Sequence, residues 1–222
     1  MSLSVDYLIS DAALKIGDVN RTRVRDVEWV LFYNQAVREL CEKANVLEFQ
    51  GLFDTLPTDR YGYPWRATAI TKFEAQAIAG DANTFFKLDE LREDEFTART
   101  DRLYPPMDPP LEYFPRRNWF HLVGKPTTTV VQGGRLTYFG IPDRIFDLPS
   151  AIFPLPEFCQ DYVIRRLVIA AKYARDRIGE ADAELKQWIV DVAEGLQDKM
   201  EDRVDDRRPA IRPTRAPMAG MR

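Results

Sequence analysis

Helical hydrophobic patterns at the two ends of the chain, separated by about a hundred residues that lack one, constrain the fold most strongly. The first helix is predicted between Ser4, its N-cap, and Gly17, just past its end. The second is predicted over about residues 25–45, where these apolar residues recur at helical spacing and are expected to face the core: Val27, Val30, Leu31, Val37, Leu40, Cys41 and Ala44. Asn34 lies on the same face, where an amide is usually one satisfied polar group of a core, so no function is assigned to it.

Between residues 46 and 148, short extended segments punctuated by Pro and Gly replace the helical pattern. The clearest segment is TTTVVQGGRLTYFG, in which Gly133 and Gly134 are expected to form the tight turn of a β-hairpin. A brief helix is expected in DELREDEFTAR. Together these segments predict a small antiparallel sheet or barrel.

The helical pattern returns at Pro156, a residue that suits a first helical position. This third helix carries two apolar stripes, one through Val163 and Leu167 and one through Ile164 and Val168, so we expect it to pack against two partners. Gly179 is expected to end it, and a fourth helix is predicted over about residues 180–206.

Helices so far apart in sequence must pack together to bury their apolar faces. The predicted fold class is therefore α+β and mainly helical: a four-helix bundle formed by the N- and C-terminal helix pairs, with an inserted small antiparallel β-domain and an extended C-terminal tail. The predicted boundaries are 1–45 for the N-terminal helix pair, 46–148 for the β-rich domain, 149–206 for the C-terminal helix pair and 207–222 for the tail.

The tail, RRPAIRPTRAPMAGMR, carries five arginines and no acid, and its three prolines exclude a continuing helix. The whole chain has a formal charge of −4, so removing the tail's five positive charges leaves −9 on residues 1–206. A body of this sign is not expected to seek DNA, because affinity for phosphates comes from Lys and Arg. Such a tail cannot build a core by itself, so it is expected either to be disordered or to be bound by something outside the chain.

No motif for catalysis or metal binding is present in the sequence. GKPTTT, at 124–129, lacks the earlier glycine of a phosphate-binding loop and has Pro126 where Ser or Thr should bind magnesium. His121 is the only histidine, so a zinc site or a histidine relay has no second member, and a satisfied strand residue is favoured. Cys41 and Cys159 are expected to be free, buried thiols. The sequence predicts no enzymatic activity and no cofactor.

The first residues lack a leader pattern and no apolar run is long enough to cross a bilayer, which predicts a protein made in a reducing cytoplasm, with no membrane partner. Several aromatic residues of the middle region could stack on single-stranded nucleic acid, but packing in a core or a subunit interface is favoured because they have few basic neighbours. These residues are Tyr61, Tyr63, Trp65, Tyr113, Phe114, Trp119 and Phe120.

Three segments carry a resemblance to a known family: YLISDAALKIGD, VEWVLFYNQAVRELCEKANV and LPEFCQDYVIRRLVIAAKYARDRIGEADAELKQWIVDVAEGLQDKMEDRV. With the order of helix pair, β-insertion, helix pair and tail, they resemble the bacteriophage head–tail adaptor (connector) proteins of the tail tubular protein A type. The resemblance implies a ring of identical subunits, typically twelve, in the neck of the virion between capsid and tail. Such a ring docks beneath the portal, extends the DNA channel, and contacts tail or nozzle proteins below it.

The resemblance also implies roles for two sets of residues. The tail is expected to reach into clefts of the portal through Arg207, Arg208, Pro209, Ile211, Arg212, Pro213, Arg215, Pro217 and Met218. Acids of the fourth helix could line the channel, so that genomic DNA passes without specific binding, although an outward, solvated face is the alternative: Asp191, Glu194, Asp198, Glu201 and Asp205. The two apolar stripes of the third helix would then contact its own subunit and a neighbour. The alternative function is a nucleic-acid-binding protein that uses the arginine-rich tail.

Overall fold

The computed structural model describes the backbone of residues 3–58, 60–64, 66–100, 108–116, 119–146, 148 and 151–206. Side chains are described for the same residues except 98–100 and 197–206. The tail, residues 207–222, and the portal-binding residues predicted in it therefore lie outside the described residues.

The helices in the described part of the chain are α1 Val5–Lys15, α2 Asp26–Ala44, α3 Glu93–Thr100, α4 Gln160–Ala174 and α5 Ile178–Asp206. As predicted, Ser4 caps α1: its hydroxyl accepts a hydrogen bond of 3.2 Å from the backbone N–H of Tyr7. Asn45 ends α2 in the left-handed conformation, with φ at 48°. A single turn of 3₁₀ helix, Glu157–Cys159, leads into α4. None of these helices is long and apolar enough to cross a membrane.

The strands are β1 Glu48–Thr55, β2 Tyr61–Gly62, β3 Ala67–Gln76, β4 Phe85–Lys87, β5 Asp89–Glu90, β6 Glu112–Arg116, β7 Trp119–Val123 and β8 Val130–Gly140. They form two four-stranded sheets, in the orders β1-β8-β3-β4 and β2-β7-β6-β5. Every pairing is antiparallel except that of β5 with β6. In the first sheet the final strand, β8, lies between β1 and β3 and so ties distant parts of the chain together.

The two sheets pack against each other through a shared aromatic core. Phe73 of β3 lies fully buried, with its ring centroid 4.1 Å from that of Tyr113 on β6 and 4.4 Å from that of Phe120 on β7. Phe53 of β1 contacts Phe120 at 5.6 Å between centroids. The β-rich region is therefore a sandwich whose layers are joined by aromatic contacts.

The second core lies among the helices, with α4 at its centre. α4 contacts α1, α2 and α5, and the large side chains buried completely between these helices include Trp29, Leu40, Leu167 and Trp188. Arg166 of α4, almost fully buried, makes two hydrogen bonds with the carboxylate of Glu39 on α2, at 2.5 and 2.9 Å. Sequence elements from both ends of the chain thus share one core.

One buried carboxylate organises the backbone of the loop between α1 and α2. Asp18 is buried and accepts hydrogen bonds from the backbone N–H groups of Thr22 and Val24, both at 3.0 Å, and of Arg23 at 3.2 Å. Burial raises the pKa of Asp18, but these hydrogen bonds lower it by more, so that the pKa lies below its ordinary value. Asp18 therefore sets the position at which α2 begins.

The predicted fold class is wrong. The described chain is about 41% helix and 27% strand, with two four-stranded sheets and five helices, which makes it an α/β fold and not a mainly helical four-helix bundle. The prediction underestimated the middle of the chain, because short strands separated by proline-rich loops give a weak pattern even when they pair into complete sheets.

The predicted hairpin at Gly133 and Gly134 is also wrong, because β8 runs through both glycines as one strand. The glycines are needed for space: a Cβ on Gly134 would overlap the ring of Phe53, and one on Gly133 would lie 2.7 Å from the hydroxyl oxygen of Thr55. The positive φ of this region, 51°, belongs to Gln132. Gln132 lies opposite the point between Phe53 and Thr55 at which the pairing register of β1 with β8 shifts.

Two expectations for the C-terminal helices are corrected. Gly179 lies inside the first turn of α5, and the break comes earlier, at 175–177, where Asp176 has a φ of 57°. Both apolar stripes of α4 are covered by helices of the same chain, since α1, α2 and α5 all contact α4. α4 therefore offers no second apolar face to a neighbouring subunit.

Candidate functional site

A groove of about 780 Å³ runs between α2 and residues that follow β8, namely Ile141–Phe146, Leu148 and Pro154. One wall is the outward face of the first half of α2, and the other is formed by Ile141–Phe146. The groove extends to Asp6 on α1 and to Pro154, just before α4 begins. Its volume is in the range of sites that bind a peptide segment or a small molecule.

Asn34 holds the two walls together. Its amide nitrogen donates to the backbone carbonyl of Ile145 at 2.9 Å, and its amide oxygen accepts from the backbone N–H of Ile145 at 3.0 Å. One side chain thus satisfies both backbone groups of a residue 111 positions away. Asn34 is thus a satisfied amide, as predicted, and its position on an apolar stripe is the sequence signal for this contact.

Three large apolar side chains of the groove are open to solvent. Val27 and Leu31, one turn apart on α2, are 71% and 61% exposed, and Phe146 on the opposite wall is 89% exposed. The prediction that Val27 and Leu31 face the core is wrong: the buried side of α2 is formed by Trp29, Tyr33 and their helical neighbours. Clustered exposed apolar side chains of this kind mark surfaces that bind proteins.

Carboxylates lie along the rim of the groove. Arg21, from the loop after α1, pairs with Asp6 at 2.7 Å and with Asp26 at 3.6 Å. Arg66 pairs with Asp143 at 2.8 Å. The side chains of Asp26 and Asp143 remain 66% and 75% exposed, so each can accept further hydrogen bonds from a bound partner.

Beneath the groove, the hydroxyl of Tyr33 and the indole N–H of Trp29 are buried and have no hydrogen-bond partner within the described residues. Burial, and then the nearby Cys41 thiol, raise the pKa of Tyr33 above its ordinary value. Cys41 and Cys159 are free and buried, as predicted, and burial raises the pKa of Cys41 to about 12. The Cys41 thiol is therefore not set up as a nucleophile.

The acids predicted to line a channel lie in the C-terminal half of α5, and only two of them have described side chains. Asp191 is partly buried and pairs with Arg165 of α4 at 2.7 Å, while Glu194 is exposed. Hydrogen bonds from Gln187 and Arg165 hold the pKa of Asp191 below its ordinary value. For Asp198, Glu201 and Asp205 the helix backbone is described but not the side chain. Asp191 thus joins two helices, and the channel-facing role of this set stays a prediction.

Most aromatic residues proposed for nucleic-acid stacking are packed inside the protein. Tyr61, Tyr113, Phe114 and Phe120 are buried, in agreement with the favoured core role, and Trp65 lies outside the described residues. Trp119 is half-buried, with the guanidinium carbons of Arg60 and Arg116 at 4.9 and 5.4 Å from its ring centroid. The described members of this set therefore do not form a continuous stacking surface.

His121 lies on β7, with its ring 4.3 Å from that of Trp119 and 5.0 Å from that of Phe96, both measured between centroids. Among the residues with described side chains, no group of three His, Cys, Asp or Glu residues could hold a metal ion.

No protein-family model matches the chain, and comparison with curated proteins gives no match.

Proposed function

We propose that this protein is a structural subunit of a bacteriophage head–tail adaptor, a ring beneath the portal that joins the capsid to the tail and extends the DNA channel. The observation that carries the proposal is the groove beside α2, where Val27 and Leu31 on one wall and Phe146 on the other are exposed. A protein that leaves such a surface open is built for association with other protein chains. The identity of the assembly comes from the resemblance of the terminal helices and the order of elements to the adaptor family.

The division of the molecule supports the same proposal. The helices form one core around α4, the strands form a separate sandwich, and a basic segment follows α5. Two packed units give a ring subunit separate surfaces for its neighbours and for the proteins above and below it. The arginines of residues 207–222 are proposed to pair with acids of the portal, with Ile211 and Met218 in apolar pockets.

The proposed partners are the portal, other copies of the chain in a ring of about twelve as in the family it resembles, tail or nozzle proteins below, and DNA that passes without specific binding. The proposed location is the neck of the virion, after assembly in the host cytoplasm. We expect the free protein to be monomeric or weakly associated, because each subunit docked on the portal would offer an ordered surface to the next and so make ring formation cooperative.

The test is to mix the purified protein with portal rings and to image the product, with a variant that lacks residues 207–222 beside it. The full chain is expected to form a ring on the portal. The truncated chain should keep its melting temperature but fail to co-sediment with the portal, since the described cores lie within residues 3–206. Undiminished binding by the truncated chain would contradict a portal-docking tail, and binding to DNA in place of the portal would favour the nucleic-acid-binding alternative.

A further inference from the structure

The first sheet ends at two strands that each have an open edge among the described residues. In the order β1-β8-β3-β4, β1 pairs only with β8, and β4 pairs only with β3. β1 is eight residues long and contains neither proline nor lysine, two residues that commonly protect an edge strand from pairing with another chain. The backbone of β1 therefore offers a place for a further strand.

One hydrogen bond shows which residues of β1 face its open edge. The C=O of Leu47 accepts from the N–H of Gly140, which follows on β8, at 3.0 Å. Because successive residues of a strand direct their backbone groups to opposite sides, the odd-numbered residues of β1 face β8, and Glu48, Gln50 and Leu52 face the open edge. The side chains of these three residues are exposed.

The same alternation identifies the open edge of β4. The C=O of Thr84, just before β4, accepts from the N–H of Ala77 at 3.0 Å, so that even-numbered residues face β3. Phe85 and Lys87 therefore direct their backbone groups to the open edge. The side chain of Lys87 is exposed and forms no ion pair with another described residue.

The strand directions allow these two edges to pair between copies of the chain. β1 is antiparallel to β8, β8 to β3, and β3 to β4, so β1 and β4 run in opposite directions. When two copies stand side by side in the same orientation, β4 of one copy is antiparallel to β1 of the next. The two sheets can then continue as one antiparallel sheet across the contact.

Charge selects β4 as the partner of β1. On one face of the first sheet, Glu74 of β3 lies opposite both Arg135 of β8 and Lys87 of β4, and it pairs with Arg135 at 2.6 Å. An acid beyond Lys87 would continue this alternation of charge, and the exposed Glu48 of β1 supplies it. Pairing of two β1 strands would instead join edges that carry Glu48 and Asp54 and no base.

We propose that β4 of one copy adds to β1 of a second copy as an antiparallel strand. Glu48 then lies opposite Lys87 of the other copy, Gln50 lies opposite its Phe85, and Leu52 packs diagonally against the same ring. Two such residue pairs supply about four main-chain hydrogen bonds, which suits the weak association expected of the free protein. The contact is head-to-tail, and such contacts generate rings when their rotation closes. The pairing concerns this chain alone, and its repetition in a ring rests on the proposed function.

The test mixes two full-length variants, Gln50→Cys and Phe85→Cys, at high concentration under mild oxidation and without the portal. Opposite residues of such a ladder have Cα atoms about 5.5 Å apart, within the reach of a disulfide. A mixed disulfide is expected to form at least about tenfold faster than in the control mixture of Gln50→Cys with Ile78→Cys. Ile78 is 61% exposed and Phe85 only half-buried, so random collision would favour the control. The native Cys41 and Cys159 are buried and should not compete.

Equal rates in the two mixtures would overturn the strand pairing. Disulfides formed mainly between two Gln50→Cys chains would show that β1 pairs with itself and would overturn β4 as its partner. The melting temperature of each variant is measured first. If Phe85→Cys melts lower than the parent, the mixture of Glu48→Cys with Lys87→Cys replaces it, because these two residues are also opposite each other in the proposed pairing.

Charge reversal tests the register. Adding Glu48→Lys to the Gln50→Cys variant is expected to slow the mixed disulfide by about threefold or more, because repulsion from Lys87 replaces attraction. Adding Lys87→Glu to the Phe85→Cys variant as well should restore the rate. A rate that does not respond to Glu48→Lys, or that is not restored, would overturn the opposition of Glu48 and Lys87. Ring formation by the parent chain on the portal is imaged separately, so failure of the adaptor proposal is distinguished from failure of this one.

Discussion

The side chain of Asn34 makes the two backbone hydrogen bonds that a neighbouring strand would otherwise make. Its amide presents one donor and one acceptor in the spacing that a paired strand would offer, and both reach the backbone of Ile145. In this way a helix takes over the role of a sheet neighbour and helps to fix residues 141–146, which are also held by the pairing of Asp143 with Arg66. Asn34 therefore links the two walls of the groove directly.

Asn34→Ala is expected to lower the free energy of unfolding by about 1–3 kcal/mol, because the backbone groups of Ile145 lose two hydrogen bonds in a partly buried position. Chemical denaturation measures the change, and hydrogen exchange at Ile145 locates it. Asn34→Asp keeps the acceptor and loses the donor, so it serves as the control and should protect the amide of Ile145 better than Ala does. An unchanged exchange rate in Asn34→Ala would show that the clamp is not needed.

The pair of Glu39 and Arg166 predicts a pH dependence of stability. Burial raises the pKa of Glu39, but hydrogen bonds from Arg166 and Gln35 lower it by more, so the pKa in the folded protein lies below the ordinary 4.5. The unfolded state then binds the proton more tightly, and the stabilisation is present above about pH 4.5 and is lost as the pH falls through the lowered pKa.

Glu39→Gln removes this titration. The variant is expected to be less stable than the parent near neutral pH, because Arg166 stays buried without its charge partner, and to lose less stability on acidification. Denaturation curves from about pH 7 to about pH 3 measure both effects. Parallel losses in the two proteins would assign the acid sensitivity to other carboxylates, of which Asp18 is one with a lowered pKa.

Among the elements, β8 is the strand on which the first sheet depends, since it pairs with both β1 and β3. Gly134→Ala is expected to destabilise the protein by about 1–3 kcal/mol, because the added methyl group would overlap the ring of Phe53. Gly62→Ala on β2 is the matched control, as a Cβ there meets nothing within 4 Å. Thermal melting compares the two, and Phe53→Leu in the Gly134→Ala background should recover part of the loss. A lower melting temperature for Gly62→Ala than for Gly134→Ala would contradict the packing argument.

The helices and the presence of antiparallel strands in the middle of the chain were predictable from sequence, but the pairing of the strands into two sheets and the groove were not. α1 and α2 follow from local signals, such as the Ser4 cap and the apolar period, that act within a few residues. A pair of glycines such as Gly133 and Gly134 is found both in tight turns and where a side chain packs closely against the backbone. Only the position of Phe53, on another strand, shows that the second reason applies here. The groove joins Asn34 to Ile145, a contact between distant residues that no local pattern encodes.

At the scale of the whole molecule, the acids of α5 determine whether a ring of subunits would carry a band of negative charge. Asp191 is neutralised by Arg165, which leaves Glu194, Asp198, Glu201 and Asp205 as the acids that can act. If these line a channel, replacing Glu194, Asp198 and Glu201 by lysine should leave ring assembly intact and slow DNA ejection, since lysines would hold the phosphates. Ejection measured from particles that carry the variant ring tests this, and an unchanged rate would mean that the acids face solvent.

The central position of α4 has a consequence for synthesis. α1 and α2 leave the ribosome first, but the helix that buries their apolar faces begins only at Gln160, more than a hundred residues after the end of α2 at Ala44. At about 5–20 residues per second, the interval is about 6–23 s. During that time the sandwich can form, but the apolar side chains of α1 and α2, including Trp29 and Leu40, remain exposed to solvent. The nascent chain is thus most exposed to aggregation or to chaperone capture before α4 emerges.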